Sequence, residues 1–548
     1  MSLDRISAGR TGADPRRWWA LAALALSVLV VGLDLFVLSL ALPTLSKDLH
    51  ASSADLQWFV DAYTLVLAAA LLPAGLLGDR LGRKKLLGWA LGLFGVASLA
   101  CAYSRSADEL IAARAVLGLA AAVILPMALA VLPVLFTPAE RSRAIAVVGG
   151  ATFLGYPIGP IVGGWLLDHF WWGSVFLVNV PVVVIAVVAV VFLMPESRAS
   201  HRPRIDGAGV LISSAGLAAL TYGFITAGQN GWSDAAALAT IAAGAAGLAA
   251  FAAWESRLRR RRGEPLADLT LFGSAGFAWG TILSTMVSFA LFGVTFALPQ
   301  YFLDVRGLDS LGSGVDLLPM IGGIAVGLLV GQRLQSPRKA GRRAGPPLAG
   351  TKSLVSTKSL VSAGFAVMAA ALVAGTFTGA GSGTAYVSGW IAATGLGLGL
   401  ALPTAMNAAL GALTPDRSGS GSALMSAMRQ VGATIGVAVL GTVLNTVYQG
   451  RLRLPGLPPA AVHAARSSVA GGLAVARAAG SAALRHDVRS AYSGGLDVML
   501  WVCAGIAVAA ALLAAAFLPR QNQEVTAVTP TAGADPADAG VPQAAGAE

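Results

Sequence analysis

The chain has 548 residues, 56% of them hydrophobic and only 12% charged, against about 25% charged in soluble domains. That excess of apolar surface excludes a single water-soluble core and calls for a lipid bilayer as solvent. The net charge of +11 would suggest nucleic acid in a soluble protein. Here the basic residues cluster in short loops between apolar runs, so no nucleic-acid partner is expected. The two cysteines, Cys101 and Cys503, lie in apolar runs, and the five histidines are scattered. Neither a disulfide framework nor a metal site is expected.

Arg16 and Arg17 precede the first apolar run, as in a signal peptide. That run continues to Leu42, beyond the roughly 7–15 residues of a signal h-region, so it is read as a first membrane span. A span needs roughly 20 mostly apolar residues. On that criterion spans fall near 18–42, 56–77, 86–104, 107–136, 144–167, 174–194, 207–228, 234–254, 274–303, 312–332, 360–380, 384–407, 422–446 and 495–518, about fourteen in all. The predicted class is an all-α, polytopic membrane protein.

The loops alternate in charge. Arg80, Arg83, Lys84 and Lys85 fall in one set, with Arg141 and Arg143, Arg198 to Arg204, Arg257 to Arg262, and Arg338 to Arg343. The intervening loops are poor in lysine and arginine. The positive-inside rule places the first set and both termini, including residues 1–17, in the cytoplasm. The segment 447–494 should then be a long external loop, although it carries six arginines; an amphipathic helix on the outer surface would fit it. Residues 333–359 form a long cytoplasmic loop that includes most of a tandem hexapeptide, "TKSLVSTKSLVS" at 351–362, and 521–548 read as a disordered tail. Few lysines among the 38 basic residues, with much alanine and glycine, suggest a GC-rich bacterial source.

The chain echoes itself. Gly331-Gln332-Arg333-Leu334 repeats Gly78-Asp79-Arg80-Leu81, a Leu-Pro followed by Thr-Pro recurs at the same spacing (125–138 and 402–415), and Gly-Ala-Thr follows each at 150–152 and 432–434. Three echoes in one order imply two homologous six-helix bundles, 18–194 and 274–518, with two helices inserted at 207–254. Transporters are often built this way, with the substrate site between the halves.

Four motifs resemble the major facilitator superfamily, and within it the fourteen-span drug:proton antiporters. "GDRLGRKK" (78–85) is similar to the loop motif between spans two and three. "RAVLG" from Arg114 resembles the fourth-span motif, and "GYPIGPIVGG" (155–164) the antiporter motif of span five. "LDLFVLSLALP" (33–43) is similar to the first-span motif, with Phe36 and Ser39 where that family has Thr and Asn. The resemblance implies the major facilitator fold and export of drugs, antibiotics or similar amphipathic molecules against protons. It leaves out the tail and the 447–494 loop.

Each motif has a physical reading. Asp34 is a carboxylate at mid-span, where a charge costs roughly 2.5–3.5 kcal/mol. It is either a proton-carrying acid or one end of a static interhelical hydrogen bond. Arg114 is its natural cation, and the two are expected to face one aqueous cavity; the resemblance implies a proton-transfer role for Arg114. Asp61 is a second cavity acid or an interfacial residue. In the cytoplasmic motif, Gly78 and Gly82 allow a tight turn, Asp79 could sit against the positive N-terminus of a helix near Ser422, and Arg80, Arg83 and Lys84 supply orienting charge. Gly155, Gly159, Gly163 and Gly164 let helices approach closely, while Pro157 and Pro160 would bend the helix or free carbonyls. Trp58, Tyr63, Asn179, Gln300, Asn407, Arg429 and Gln430 are candidate cavity lining, each with a packing alternative.

"GLGLGL" (395–400) lies inside an apolar span and follows no strand, and no Walker motif is present, so no nucleotide is expected to drive the protein. No catalytic constellation is found. The expected protein is a proton-driven secondary transporter of the cytoplasmic membrane, acting as a monomer without cofactor. An importer or lipid flippase on the same fold, or a non-transporting sensor, are the rival readings.

Overall fold

The computed structural model describes residues 16–51, 53–198, 206–261, 266–335, 355–414, 417–454 and 456–519. The predicted tail, most of the long loop and the first copy of the hexapeptide's opening lie outside them. Among the described residues the regular structure is helical. In chain order it comprises α1 (Arg16–Asp48), α2 (Ser53–Leu81), α3 (Arg83–Ala102), α4 (Ala107–Ala130), α5 (Leu132–Leu135), α6 (Pro138–His169), α7 (Ser174–Leu177), α8 (Asn179–Leu193), α9 (Gly207–Asn230) and α10 (Ala235–Arg260). It continues with α11 (Ala275–Gln300), α12 (Ser310–Gln335), α13 (Thr357–Gly375), α14 (Thr384–Gly411), α15 (Ser418–Arg451), α16 (Pro459–Ser467), α17 (Val469–Ala478) and α18 (Ala482–Phe517). Among the described residues, thirteen stretches are long and apolar enough to cross a membrane. α6, with 32 residues, occupies the remaining predicted span.

The internal repeat reappears as a repeated packing pattern. In the first bundle α1 packs on α6 and α8, α4 on α2 and α3, and α3 on α8. In the second, α11 packs on α15 and α18, α14 on α12 and α13, and α13 on α18. The bundles meet along two seams, α2 and α4 against α15, and α12 and α14 against α6. α9 packs on both α2 and α15, and α10 packs mainly on α9. The inserted pair is therefore set on one seam, with α10 outermost.

Several boundaries differ from expectation. The predicted 447–494 loop is mostly helical. α15 continues to Arg451, α16 and α17 lie within it, and α18 starts at Ala482, well before 495. A hydropathy window stops at Arg485, His486, Asp487 and Arg489, whereas the backbone can stay helical beyond the apolar core wherever water can solvate those side chains. Ser481 caps that start by accepting from the Leu484 amide at 3.1 Å. Likewise α12 reaches Gln335 and α13 begins at Thr357, so the long loop is shorter than 333–359. The second hexapeptide copy forms the first turns of α13, capped by Ser356 through the Ser359 amide.

Candidate functional site

The first part of the site is a charge pair inside the N-terminal bundle. Ser106 caps α4 by accepting from the Glu109 amide at 3.3 Å, and Arg114 follows two turns in. Its Nη1 donates to Asp34 Oδ2 at 2.5 Å, and its Nε donates to the Phe59 carbonyl at 2.8 Å. Its guanidinium lies over the Tyr63 ring, 4.6 Å from the centroid. Asn179 Nδ2 donates to Asp34 Oδ1 at 3.2 Å and lies 3.4 Å from Ser98 Oγ. Five helices, α1, α2, α3, α4 and α8, thus supply one polar cluster. Asp34 is 2% exposed and Arg114 0%. Burying either charge alone would be costly, and the mutual pairing and extra hydrogen bonds offset that cost.

From the sequence the pair is expected to face one aqueous cavity; Asp34 and Arg114 are paired and buried, but neither is in the wall of the two cavities described next. The contact between the pair and the cavity is Tyr63, whose ring covers Arg114 and which also stands in the cavity wall.

That cavity, of about 510 Å³, lies between the bundles toward the ends of the helices that lack the basic loops. Its volume suits a drug-sized molecule. Asp61 is its acid, accepting from Gln229 Nε2 at 3.3 Å. Phe292 and Phe296 give it an aromatic wall on α11. A smaller space of about 80 Å³ continues inward, sharing Leu67, Phe292, Gln430 and Ala433 with the first. Arg429 is in its wall, and its Nε donates to Ser288 Oγ at 3.2 Å.

Of the candidate lining residues, Tyr63, Arg429 and Gln430 are in these walls. Trp58, Asn179, Gln300 and Asn407 are not. Trp58 stacks on Tyr222 of α9 at 6.2 Å, Asn179 is spent on Asp34, and Gln300 donates to the Phe296 carbonyl of its own helix at 3.1 Å. Gln57, Thr64, Thr295 and Gln229 also line the cavity and are not among the residues expected from the sequence. Gln57, Asp61 and Thr64 recur at helical spacing, so a polar stripe was there to be read. No sequence signal marked Gln229, which follows an apolar run inside the inserted pair.

At the opposite end the basic loops converge on a contact between halves. Asp79 Oδ1 accepts from Arg83 Nη2 at 2.7 Å and Nε at 3.2 Å. Its Oδ2 accepts from the Ser420 amide at 2.9 Å, in the first turn of α15. A Cβ on Gly419 would run into the Asp79 carboxylate, so the contact as it stands requires glycine there and any other residue would displace the carboxylate. Ser418 Oγ and Ser422 Oγ donate across to the Ala130 and Pro126 carbonyls of α4 at 3.2 and 3.1 Å. The other motif residues shape this contact. Gly78 faces Met127 of α4 without room for a Cβ, and Gly82 joins α2 to α3 with φ of +108°. The Lys84 amide donates to Glu196 Oε1 at 3.2 Å, and Arg80 sits in the last turn of α2.

α6 runs as one helix through Pro157 and Pro160, whose side chains lie outside the described set. Gly155 and Gly159, Gly163 and Gly164 are buried. A Cβ on Gly155 would lie 2.6 Å from the backbone of Gly32 and Leu33, beside Asp34. Backbone cannot yield as a side chain can. Gly155→Leu is therefore expected to destabilise the bundle by about 1–3 kcal/mol, read as a lower thermal-unfolding midpoint in detergent. Gly92→Ala, whose Cβ meets nothing within 4 Å, should leave that midpoint unchanged or raise it.

Two repeated six-helix bundles, meeting around a cavity and holding a buried charge pair, define a polytopic membrane transporter. The family model for the Major Facilitator Superfamily matches residues 24–437, and the chain belongs to that family. It is a multi-pass membrane transporter of small molecules rather than an enzyme. It is 33% identical to the multidrug efflux pump LfrA of Mycolicibacterium smegmatis, across 91% of this chain and 96% of that one. It is 32% identical to the tetracenomycin C resistance and export protein of Streptomyces glaucescens, across 92% of each. Among solved structures, the human organic anion transporter MFSD10 superposes with a TM-score of 0.54 at 14% identity, across 92% of this chain and all of that one; this likeness concerns the fold alone.

Proposed function

We propose that the protein exports amphipathic drugs or antibiotics from the bacterial cytoplasm in exchange for protons, acting as a monomer with both termini inside. The relatives are named for drug efflux and antibiotic export, and the alternating loop charges support this orientation. The observation that carries the reading is the enclosed Asp34–Arg114 pair, roofed by a cavity-wall tyrosine.

Protonating Asp34 would leave the Arg114 guanidinium on the Phe59 carbonyl and the Tyr63 ring. A buried charge that loses its partner is costly, at about 3–5 kcal/mol, so the bundle is driven to a new packing. Tyr63 carries that change to the cavity, where Asp61 offers a counter-charge to a cationic cargo. The Asp79 contact then acts as a cytoplasmic latch: closed, it leaves the cavity facing outward; released, it lets the bundles rock the other way. The driving force is the proton-motive force, worth about 2.3 kcal/mol per charge at 100 mV.

The test uses everted vesicles energised to an acid interior. Adding a transported dye or antibiotic should relieve the pH gradient in vesicles carrying the protein and not in empty ones. If a broad panel of cationic and neutral compounds is pumped with no relief, proton exchange is wrong.

A further inference from the structure

We propose that α9, from the pair inserted between the bundles, is a functional wall of the cargo cavity, and that Gln229 is a specificity-determining residue that holds Asp61 until a cationic cargo group displaces it. This rests on the reading of the cavity as the cargo site.

α9 is fixed to both halves. Ser214 Oγ donates to the Ala69 carbonyl of α2 at 2.8 Å, and Trp232, just past its end, donates from Nε1 to Thr442 Oγ1 of α15 at 3.0 Å. A Cβ on Gly228 would lie 3.3 Å from Ala438 Cα, so the helix fits closely on α15 as well. α10 screens it from the outside, with only 17% of its spanning window buried. α9 therefore closes the α2–α15 seam. At the related seam, α12 packs on α6, and no inserted helix lies there among the described residues.

A helix that only filled a lipid-facing gap would present apolar side chains inward. Beside the apolar Ile225 and Gly228, α9 presents Gln229 to the cavity, with an amide donor on the cavity's acid. An amide hydrogen-bonded to a carboxylate neutralises nothing, so a cation that takes its place adds charge compensation. A neutral cargo has no such exchange to make. Gln229 thus weighs cargo by charge.

The chain is suited to a labelling test, because its two cysteines are fully buried. Gln229→Cys and Ile225→Cys, in membranes, should react with a bulky maleimide, and ethidium should slow that reaction several-fold. Leu238→Cys on the outer helix, 46% exposed, should show no protection. A second measurement compares ethidium with propidium, which share a ring system and differ by one charge. Gln229→Glu places a second carboxylate beside Asp61 and should shift the KM ratio toward the dication propidium by about tenfold, with little change in the maximal rate. Labelling of both cysteines without ethidium protection, or an unchanged ratio in Gln229→Glu, overturns the proposal. Protection is a binding measurement. It therefore stands or falls separately from proton exchange, whose failure would show as ethidium pumping by the unmodified protein with no relief of the pH gradient.

Discussion

Asp34→Asn is expected to abolish cargo-driven proton movement in everted vesicles, with a loss of at least about a hundredfold, equivalent to roughly 2.7 kcal/mol. Asparagine keeps the shape of the side chain and can still meet Asn179 and Arg114, but it cannot take or give the proton. It also leaves the guanidinium without its counter-charge in a site that is 0% exposed at Arg114. Breaking such a pair from one side costs about 3–5 kcal/mol, so loss of activity alone would be ambiguous. The double variant Asp34→Asn with Arg114→Gln removes both charges together. It should recover much of the thermal stability lost in the single variant and recover none of the exchange. Exchange that persists in Asp34→Asn, at equal protein level, would make the pair structural and leave Asp61 as the acid to test.

Gly419→Val is expected to shift the protein toward a state open at its basic end. The glycine lies against the Asp79 carboxylate, where no Cβ fits. Valine would push that carboxylate off the first turn of α15. The contact draws on the positive end of a helix, worth about 0.3–1 kcal/mol, and on a hydrogen bond from the Ser420 amide, worth about 1.5–3 kcal/mol when an ion accepts it. Losing about 1.4 kcal/mol of this would raise the open fraction tenfold. Spin labels at Leu81 and Thr414, both exposed, would report it as a new population at longer distance. An unchanged distance distribution would show that Asp79 and α15 do not form a latch, and that the motif only orients the chain by charge. Asp79→Asn is the less direct variant, because it also removes the buried counter-charge that Asp79 gives Arg83.

The two halves of this protein were differently legible. The spans, the loop polarity and the repeat could be read directly, because each is a property of a short stretch of chain. Transfer of some twenty apolar residues into lipid does not depend on what the helix later packs against. The same holds for the turn at Gly82 and for an acid at position 34 that needs a partner. α18 starts upstream of the predicted span because a hydropathy window measures lipid solubility and not helix length. Where the acid finds its partner is another matter. Asp34 meets Arg114 across eighty residues of sequence, and the pair proved to be sealed beneath Tyr63 instead of open to the cavity.

The sequence by itself determined that this chain is a two-bundle helical membrane protein, which residues carry charge into the bilayer, and where the glycines permit close approach. Only the tertiary structure decided which faces line the cavity, that Trp58 and Asn179 turn away from it, and that the inserted helix α9 brings Gln229 to Asp61. The reason is that a bilayer is as apolar as a helix interface. Burial in lipid and burial in protein leave the same trace in hydropathy, so the rotation of each helix is fixed by close packing between distant segments.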